Sequence, residues 1–115
     1  MSETTLFEKI RDREIPADLV YEDDDIMAFR DISPQAPLHV LIVPKQAIPT
    51  VNDLESEHAE LVGRMVLVAR RIARDEGVAD DGYRLVINTN EAAHQTVFHL
   101  HLHLLGGRTF GWPPG

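Results

Sequence analysis

The chain has 115 residues, 43% hydrophobic and 26% charged, with a formal net charge of −8, as expected for a single globular domain over residues 1–115. The acidic balance, with no basic cluster beyond Arg70-Arg71, argues against nucleic acid as a partner. The absence of cysteine excludes disulfides, thiolate zinc sites and cysteine nucleophiles.

The N-terminus, Met1-Ser2-Glu3-Thr4-Thr5, lacks the cationic segment and apolar run of a secretory signal. Apolar stretches such as residues 40–43 are far too short to cross a bilayer. We therefore expect a cytoplasmic protein with no membrane partner.

A short helix is predicted near the N-terminus. Thr5 and Glu8 have the spacing of a capping box, and the helix should run to about residue 13, before Pro16. Its apolar residues share one helical face: Leu6, Phe7 and Ile10.

Three strands are predicted next. Residues 19–22 and 26–29 are strand-like runs on either side of an acidic turn. Residues 31–37 contain two prolines and predict a loop, and the β-branched run at residues 38–43 predicts a strand that Pro44 closes.

The second half predicts a long helix and two more strands. The helix is capped by Asn52 or Asp53 and ends at Gly77, and its apolar stripe repeats every three to four residues. That stripe comprises Leu61, Met65, Val68 and Ile72. Residues 84–88 and 97–105 predict the last strands. Short connections favour antiparallel neighbours, so we predict an α+β fold, a five-stranded antiparallel sheet with two helices covering one face.

The chemistry of the chain centres on three alternating histidines. Side chains alternate across a strand, so His99, His101 and His103 should share one face. The intervening leucines would then pack into the core.

Three interpretations of this pattern compete. The histidines could be solvated surface residues, or they could bind zinc, although the neighbours Asn88, Gln95 and Thr96 are poor ligands and no carboxylate lies in the strand. In the third interpretation a neutral imidazole attacks phosphorus, because its pKa is near 6.5 and it is nucleophilic without a strong base.

The pattern resembles a known signature. Residues 95–107, Gln-Thr-Val-Phe-His-Leu-His-Leu-His-Leu-Leu-Gly-Gly, resemble the histidine-triad (HIT) motif. Residues 29–37, His39, Pro44-Lys45, Arg108 and the tail at residues 112–115 resemble the Hint branch of that superfamily. The likeness extends over nearly the whole chain and implies a HIT-like fold.

The resemblance also implies roles for the histidines. His101 matches the nucleophile, which attacks the α-phosphorus and forms a nucleotidyl-histidine that water cleaves. His99 matches the position whose backbone carbonyl orients that ring. His103 and His39 match supporting histidines that contact phosphate oxygens and fix the tautomer. No metal and no cofactor are implied.

Further residues match the nucleotide site of the family. Asp31 matches the acid that binds the ribose hydroxyls, and a carboxylate is suited to accept from both. Three residues match polar contacts to phosphate and leaving group: Asn88, Gln95 and Thr96. Five match the apolar slot for the base: Leu6, Phe7, Ile10, Phe29 and Ile32. Two departures bear on substrate preference and rate: Ala92-Ala93-His94 stands where the branch often has glycines, and Thr96 replaces the more usual serine.

These implications define the expected function: a purine nucleoside phosphoramidase acting on AMP or GMP derivatives such as adenosine 5′-phosphoramidate. The alternatives are a dinucleoside polyphosphate hydrolase, which Gly106-Gly107 disfavours, and a nucleotide-binding scaffold with incidental activity. The stiff tail with Trp112, together with the resemblance, predicts a homodimer in which each tail completes the partner's site.

Overall fold

The computed structural model describes residues 4–115, so the expectation for Met1-Ser2-Glu3 lies outside the described residues. The elements, in chain order, are α1 (Leu6–Arg11), β1 (Leu19–Glu22), β2 (Ile26–Arg30), β3 (Leu38–Pro44), α2 (Ala59–Asp75), β4 (Tyr83–Val86) and β5 (Leu102–Gly106). None of the helices in the described part of the chain is long and apolar enough to cross a membrane.

The five strands form one sheet in the order β1-β2-β3-β5-β4, and every neighbouring pair is antiparallel. β3 lies at the centre and is buried along its whole length. This confirms the predicted α+β class with five strands, and residues 4–115 contain the two α-helices expected.

The two helices cover opposite faces of the sheet, so the prediction that they share a face is wrong. The larger core packs α2 against Val40 and Ile42 of β3. The smaller core packs Phe7 and Ile10 of α1 against the other face, with Leu41 and Val43. The reason is the alternation of β3, which is apolar on both sides and needs a cover on each.

Two helix boundaries differ from their predictions. α2 begins at Ala59 rather than after Asn52 or Asp53, which lie in a separate 3₁₀ turn that the Thr50 hydroxyl caps by accepting from the Asn52 N–H. Extended backbone at Leu54 then interrupts the path. α1 ends at Arg11, because the chain turns through positive φ at Arg13.

β4 and β5 are shorter than predicted. β4 ends at Val86, two residues before Asn88. β5 begins at Leu102 rather than residue 97, and the Leu100 N–H donates instead to the Ile48 carbonyl at 2.6 Å. The side chains nevertheless keep the predicted alternation: the larger core contains Leu100, Leu102 and Leu104.

Candidate active site

A cavity of about 550 Å³ opens on the α1 face of the sheet, and His101 and His103 form part of its wall. Seven other predicted site residues line the same cavity: Leu6, Phe7, Ile10, Phe29, Asp31, Ile32 and Thr96. Ile32 is 97% exposed and therefore lies at the open rim. The lining residues from α1 are apolar, and the polar lining residues come from the sheet and from the segments that flank its strands.

The ring of His101 is held in one tautomer. Its Nδ1 lies 2.8 Å from the backbone carbonyl oxygen of His99. A carbonyl only accepts, so Nδ1 must carry the proton and Nε2 keeps its lone pair. The Phe7 ring packs edge-to-face on the imidazole with centroids 5.0 Å apart. Nε2 therefore keeps an unprotonated lone pair, and the ring is fixed on two sides.

The tautomer of His103 is set by a chain of hydrogen bonds through His39. The Gln35 N–H donates to His39 Nδ1 at 3.0 Å, so the His39 proton is on Nε2. That Nε2–H lies 2.9 Å from His103 Nδ1 and donates to it. His103 consequently carries its own proton on Nε2. This N–H is the remaining donor of a ring that lines the cavity, and the two rings, His101 and His103, have centroids 5.0 Å apart.

Burial keeps these imidazoles neutral at pH 7. Desolvation lowers the pKa of His39, His99 and His101, although Asp31 raises the pKa of His39 and His101 in part. Burial and the neighbouring histidines lower the pKa of His103 to about 4. The His101 imidazole, with an unprotonated Nε2, therefore lies beside a neutral N–H donor on His103.

His99 does not line the cavity. Its side chain is fully buried, with Nε2 2.7 Å from the Pro44 carbonyl and Nδ1 2.9 Å from the Thr5 hydroxyl. The Phe7 ring also packs edge-to-face on it, at 5.7 Å. The residue that presents its carbonyl to His101 is therefore anchored at both ring nitrogens.

Asp31 places a carboxylate in the cavity wall, although no carboxylate lies in the segment that carries the three histidines. Its Oδ1 accepts from the Ser33 N–H at 2.8 Å, and its Oδ2 lies 3.6 Å from His39 Nε2. Asp31, His39 and His103 each offer a ligand atom within 4.8 Å of the others. A metal on His39 Nε2 would nevertheless displace the proton from that nitrogen and break its hydrogen bond to His103. The proton of the neutral His39 ring would then be on Nδ1, where it would face the Gln35 N–H. The hydrogen bonds therefore favour a metal-free site.

Besides His39 and His99, three predicted site residues lie outside the cavity lining, namely Asn88, Gln95 and Trp112, and so does His94. Gln95 is buried, and its side-chain amide hydrogen-bonds to the backbone: Oε1 accepts from the Asn90 N–H, and Nε2 donates to the carbonyls of Pro49 and Val97. Asn88 follows the end of β4, where Val86 lies opposite His103. Trp112 is 84% exposed in the monomer, and His94 is exposed at the end of a 3₁₀ turn with φ 63°.

The cavity also has lining residues that the sequence reasoning did not single out: Ile15, Pro16, Ala17, Asp18, Arg30, Leu41 and Val97. The period of two identifies some of them, since Leu41 follows His39 by two residues and Val97 precedes His99 by two. The segment after α1 carries no such signal.

Known proteins resemble this chain in sequence and in fold. Residues 12–110 match the family model described as the HIT domain. A protein of Escherichia coli strain K12 named purine nucleoside phosphoramidase is 60% identical over 111 residues, 96% of this chain and 93% of that protein. The Arabidopsis thaliana protein named adenylylsulfatase HINT1 is 44% identical over 96% of this chain and 76% of its own.

A solved structure agrees with the whole fold. The HIT family hydrolase of Legionella pneumophila Philadelphia 1 superposes with a TM-score of 0.95 at 52% sequence identity. The match covers 97% of this chain and 100% of that one. The sheet order and both helices described above therefore belong to a fold that a solved relative shares.

Proposed function

This chain belongs to the HIT domain family, and we propose that it hydrolyses the P–N bond of purine nucleoside 5′-phosphoramidates through a nucleotidyl intermediate on His101. The observation that carries the proposal is the pair of tautomers in the cavity. His101 has a free Nε2 lone pair, and His103 keeps an N–H donor beside it.

In the first step the lone pair of His101 Nε2 attacks the α-phosphorus. The P–N bond breaks, and the amine leaves with the electron pair and takes up a proton from solvent, which regains one from the attacking water in the second step. Because Nδ1 keeps its own proton, the nucleotidyl imidazole is cationic, and the His99 carbonyl 2.8 Å away stabilises it. A cationic imidazole is a good leaving group, so water releases the nucleoside monophosphate in the second step.

The neighbouring groups stabilise the charge that develops on phosphorus. The His103 N–H and the Thr96 hydroxyl line the same cavity and are suited to donate to the phosphoryl oxygens. His103 suits this role because the hydrogen bond from His39 fixes its proton on Nε2, and its low pKa keeps the ring neutral over a wide pH range. Asn88 and Gln95 stay predicted phosphate and leaving-group contacts; for Gln95 that contact requires a change of its present hydrogen bonds.

The rest of the cavity recognises the nucleoside. Asp31 retains Oδ2 for the ribose hydroxyls, since Oδ1 accepts from Ser33. The base lies between apolar side chains at the α1 end of the cavity: Leu6, Phe7, Ile10, Phe29 and Ile32. This slot is apolar enough for a purine, in agreement with the name of the Escherichia coli relative, a purine nucleoside phosphoramidase.

The proposed assembly is a homodimer in which the tail bearing Trp112 reaches the partner's site. Trp112 is 84% exposed in the monomer, and β4 leaves one edge of the sheet unpaired, both of which a second copy would cover. A cytoplasmic location stays a prediction from the sequence.

Steady-state turnover with three substrates tests the function. We expect AMP release from adenosine 5′-phosphoramidate to exceed release from diadenosine tetraphosphate or adenosine 5′-phosphosulfate; the last is included because of the adenylylsulfatase relative. His101→Asn should abolish turnover. His58→Asn should preserve it, because His58 lies immediately before α2 and outside the cavity. Faster cleavage of the tetraphosphate would contradict the proposal.

A further inference from the structure

Thr5 makes a hydrogen bond that its capping role does not require. As the residue before α1 it forms a full capping box: Oγ1 accepts from the Glu8 N–H at 3.1 Å, and the Thr5 N–H donates to the Glu8 carboxylate at 2.9 Å. The same hydroxyl lies 2.9 Å from Nδ1 of His99, 94 residues further along the chain.

The direction of this second bond follows from the other end of the His99 ring. Nε2 lies 2.7 Å from the Pro44 carbonyl, which only accepts, so the proton of the neutral ring is on Nε2. Nδ1 therefore has a lone pair, and the Thr5 hydroxyl donates to it. The hydroxyl accepts from α1 and donates to the segment that carries the triad.

We propose that Thr5 is a positioning residue for the reaction at His101, acting through His99; this rests on the proposed function. The Thr5 hydroxyl fixes the His99 ring as the neutral Nε2–H tautomer. The anchored residue then presents its backbone carbonyl to His101 Nδ1 and keeps the attacking Nε2 unprotonated. Phe7, two residues after Thr5, packs on both rings. α1 thus contributes both to the slot proposed for the base and to the orientation of the His101 ring.

The charges around His99 define how it responds to a change at Thr5. Burial lowers the pKa of His99, while Glu8 raises it, and Arg11 and His101 lower it. A carboxylate in place of the Thr5 hydroxyl would accept from a proton on Nδ1 and so stabilise the imidazolium. At pH values below this raised pKa, the positive charge of a His99 imidazolium would withdraw electron density from His101 and make it a weaker nucleophile.

Three substitutions separate positioning from capping. Thr5→Ser keeps both the cap and the donor. Thr5→Asp keeps a strong cap but lacks the donor. Thr5→Val loses both. Thr50→Val is the matched control, because Thr50 is a buried threonine with its own capping box and its hydroxyl donates to Asp53 rather than to a histidine.

The measurements are kcat and KM as functions of pH. The free energy of unfolding of each variant shows how much stability the loss of the helix cap costs. We expect Thr5→Asp to lower kcat roughly threefold to tenfold, the range for one lost hydrogen bond, with KM unchanged. This loss should be greatest at acid pH and should shrink without vanishing as the pH rises through the new His99 pKa, because the aspartate carboxylate supplies no donor to Nδ1 at any of these pH values. Thr5→Val should lose kcat at every pH, Thr5→Ser should restore it, and Thr50→Val should change stability alone.

Imidazole ¹⁵N chemical shifts give a readout that does not depend on turnover. Wild-type His99 should be protonated on Nε2 and His101 on Nδ1, and Thr5→Asp should raise the pKa of His99. A wild-type kcat profile in Thr5→Asp, or wild-type His99 protonated on Nδ1, would overturn the proposal. Absence of phosphoramidate turnover in the wild type would refute the proposed function instead, and the shifts would still decide whether Thr5 sets the two tautomers.

Discussion

The neutral state of His103 makes the free energy of unfolding sensitive to mild acid. Its pKa is about 4 in the folded protein and 6.5 ordinarily, so the unfolded chain takes up this proton first as the pH falls. This contribution to stability is fully present above pH 6.5 and is lost as the pH falls towards 4. Between pH 7 and 5 the loss amounts to about 2 kcal/mol, because the slope approaches about 1.4 kcal/mol per pH unit once the pH is below 6.5.

Urea unfolding at pH 7 and pH 5 measures this loss, above the range where most carboxylates titrate. Wild type should lose at least about 2 kcal/mol, because the lowered pKa values of His39, His99 and His101 act in the same direction. His103→Asn should show a smaller loss, and His94→Asn, at an exposed position whose positive φ asparagine tolerates, should match wild type. Equal losses in wild type and His103→Asn would refute the reasoning.

Three further predictions concern the metal, the ribose and the tail. Exhaustive chelation should leave turnover unchanged, because His39 Nε2 carries a proton; loss on chelation that zinc restores would favour the metal interpretation. Asp31→Ala should weaken ribonucleotide substrates by roughly 1.5–3 kcal/mol, the scale for hydrogen bonds to a charged group, and an equal effect on dideoxy analogues would leave Asp31 only a structural role. Light scattering should give about twice the 12.9 kDa chain mass, and deletion of residues 110–115 should alter substrate preference more than stability. A monomer, or unaltered preference after deletion, would contradict the role of the tail.

The alternation of the triad could be predicted because it depends only on neighbouring residues. Leucine and histidine at successive positions face opposite sides of an extended chain, and this holds for His99 and His101 although both precede β5. The strand boundary itself could not be predicted. It depends on which partner the Leu100 N–H finds, and that partner, Ile48, is 52 residues away in sequence.

The placement of the helices shows the same limit. Phe7 and Ile10 identified an apolar face on α1, but the side of the sheet that it covers depends on the chain path between residues 11 and 19. The capping signals at Asn52 and Asp53 were real, yet they belong to a short 3₁₀ turn with its own cap at Thr50. Local capping patterns do not distinguish a turn from a long helix.

In the candidate site, too, some residues could be predicted from the sequence, whereas contacts between residues far apart in sequence could not. Resemblance to the family identified nine of the residues that line the cavity, including His101 and Asp31. The relay from Gln35 through His39 to His103 and the bond from Thr5 to His99 involve positions far apart in sequence, so only the folded chain shows them.

The central claim is that His101 Nε2 forms a covalent bond to the α-phosphorus. The most direct measurement mixes the protein with adenosine 5′-phosphoramidate, quenches in alkali within the first turnover, and locates any adenylyl group by peptide mass spectrometry. We predict one adenylyl group per chain, on His101, and none in His101→Asn. An adduct on His99 or His103, or full turnover by His101→Asn, would contradict the account.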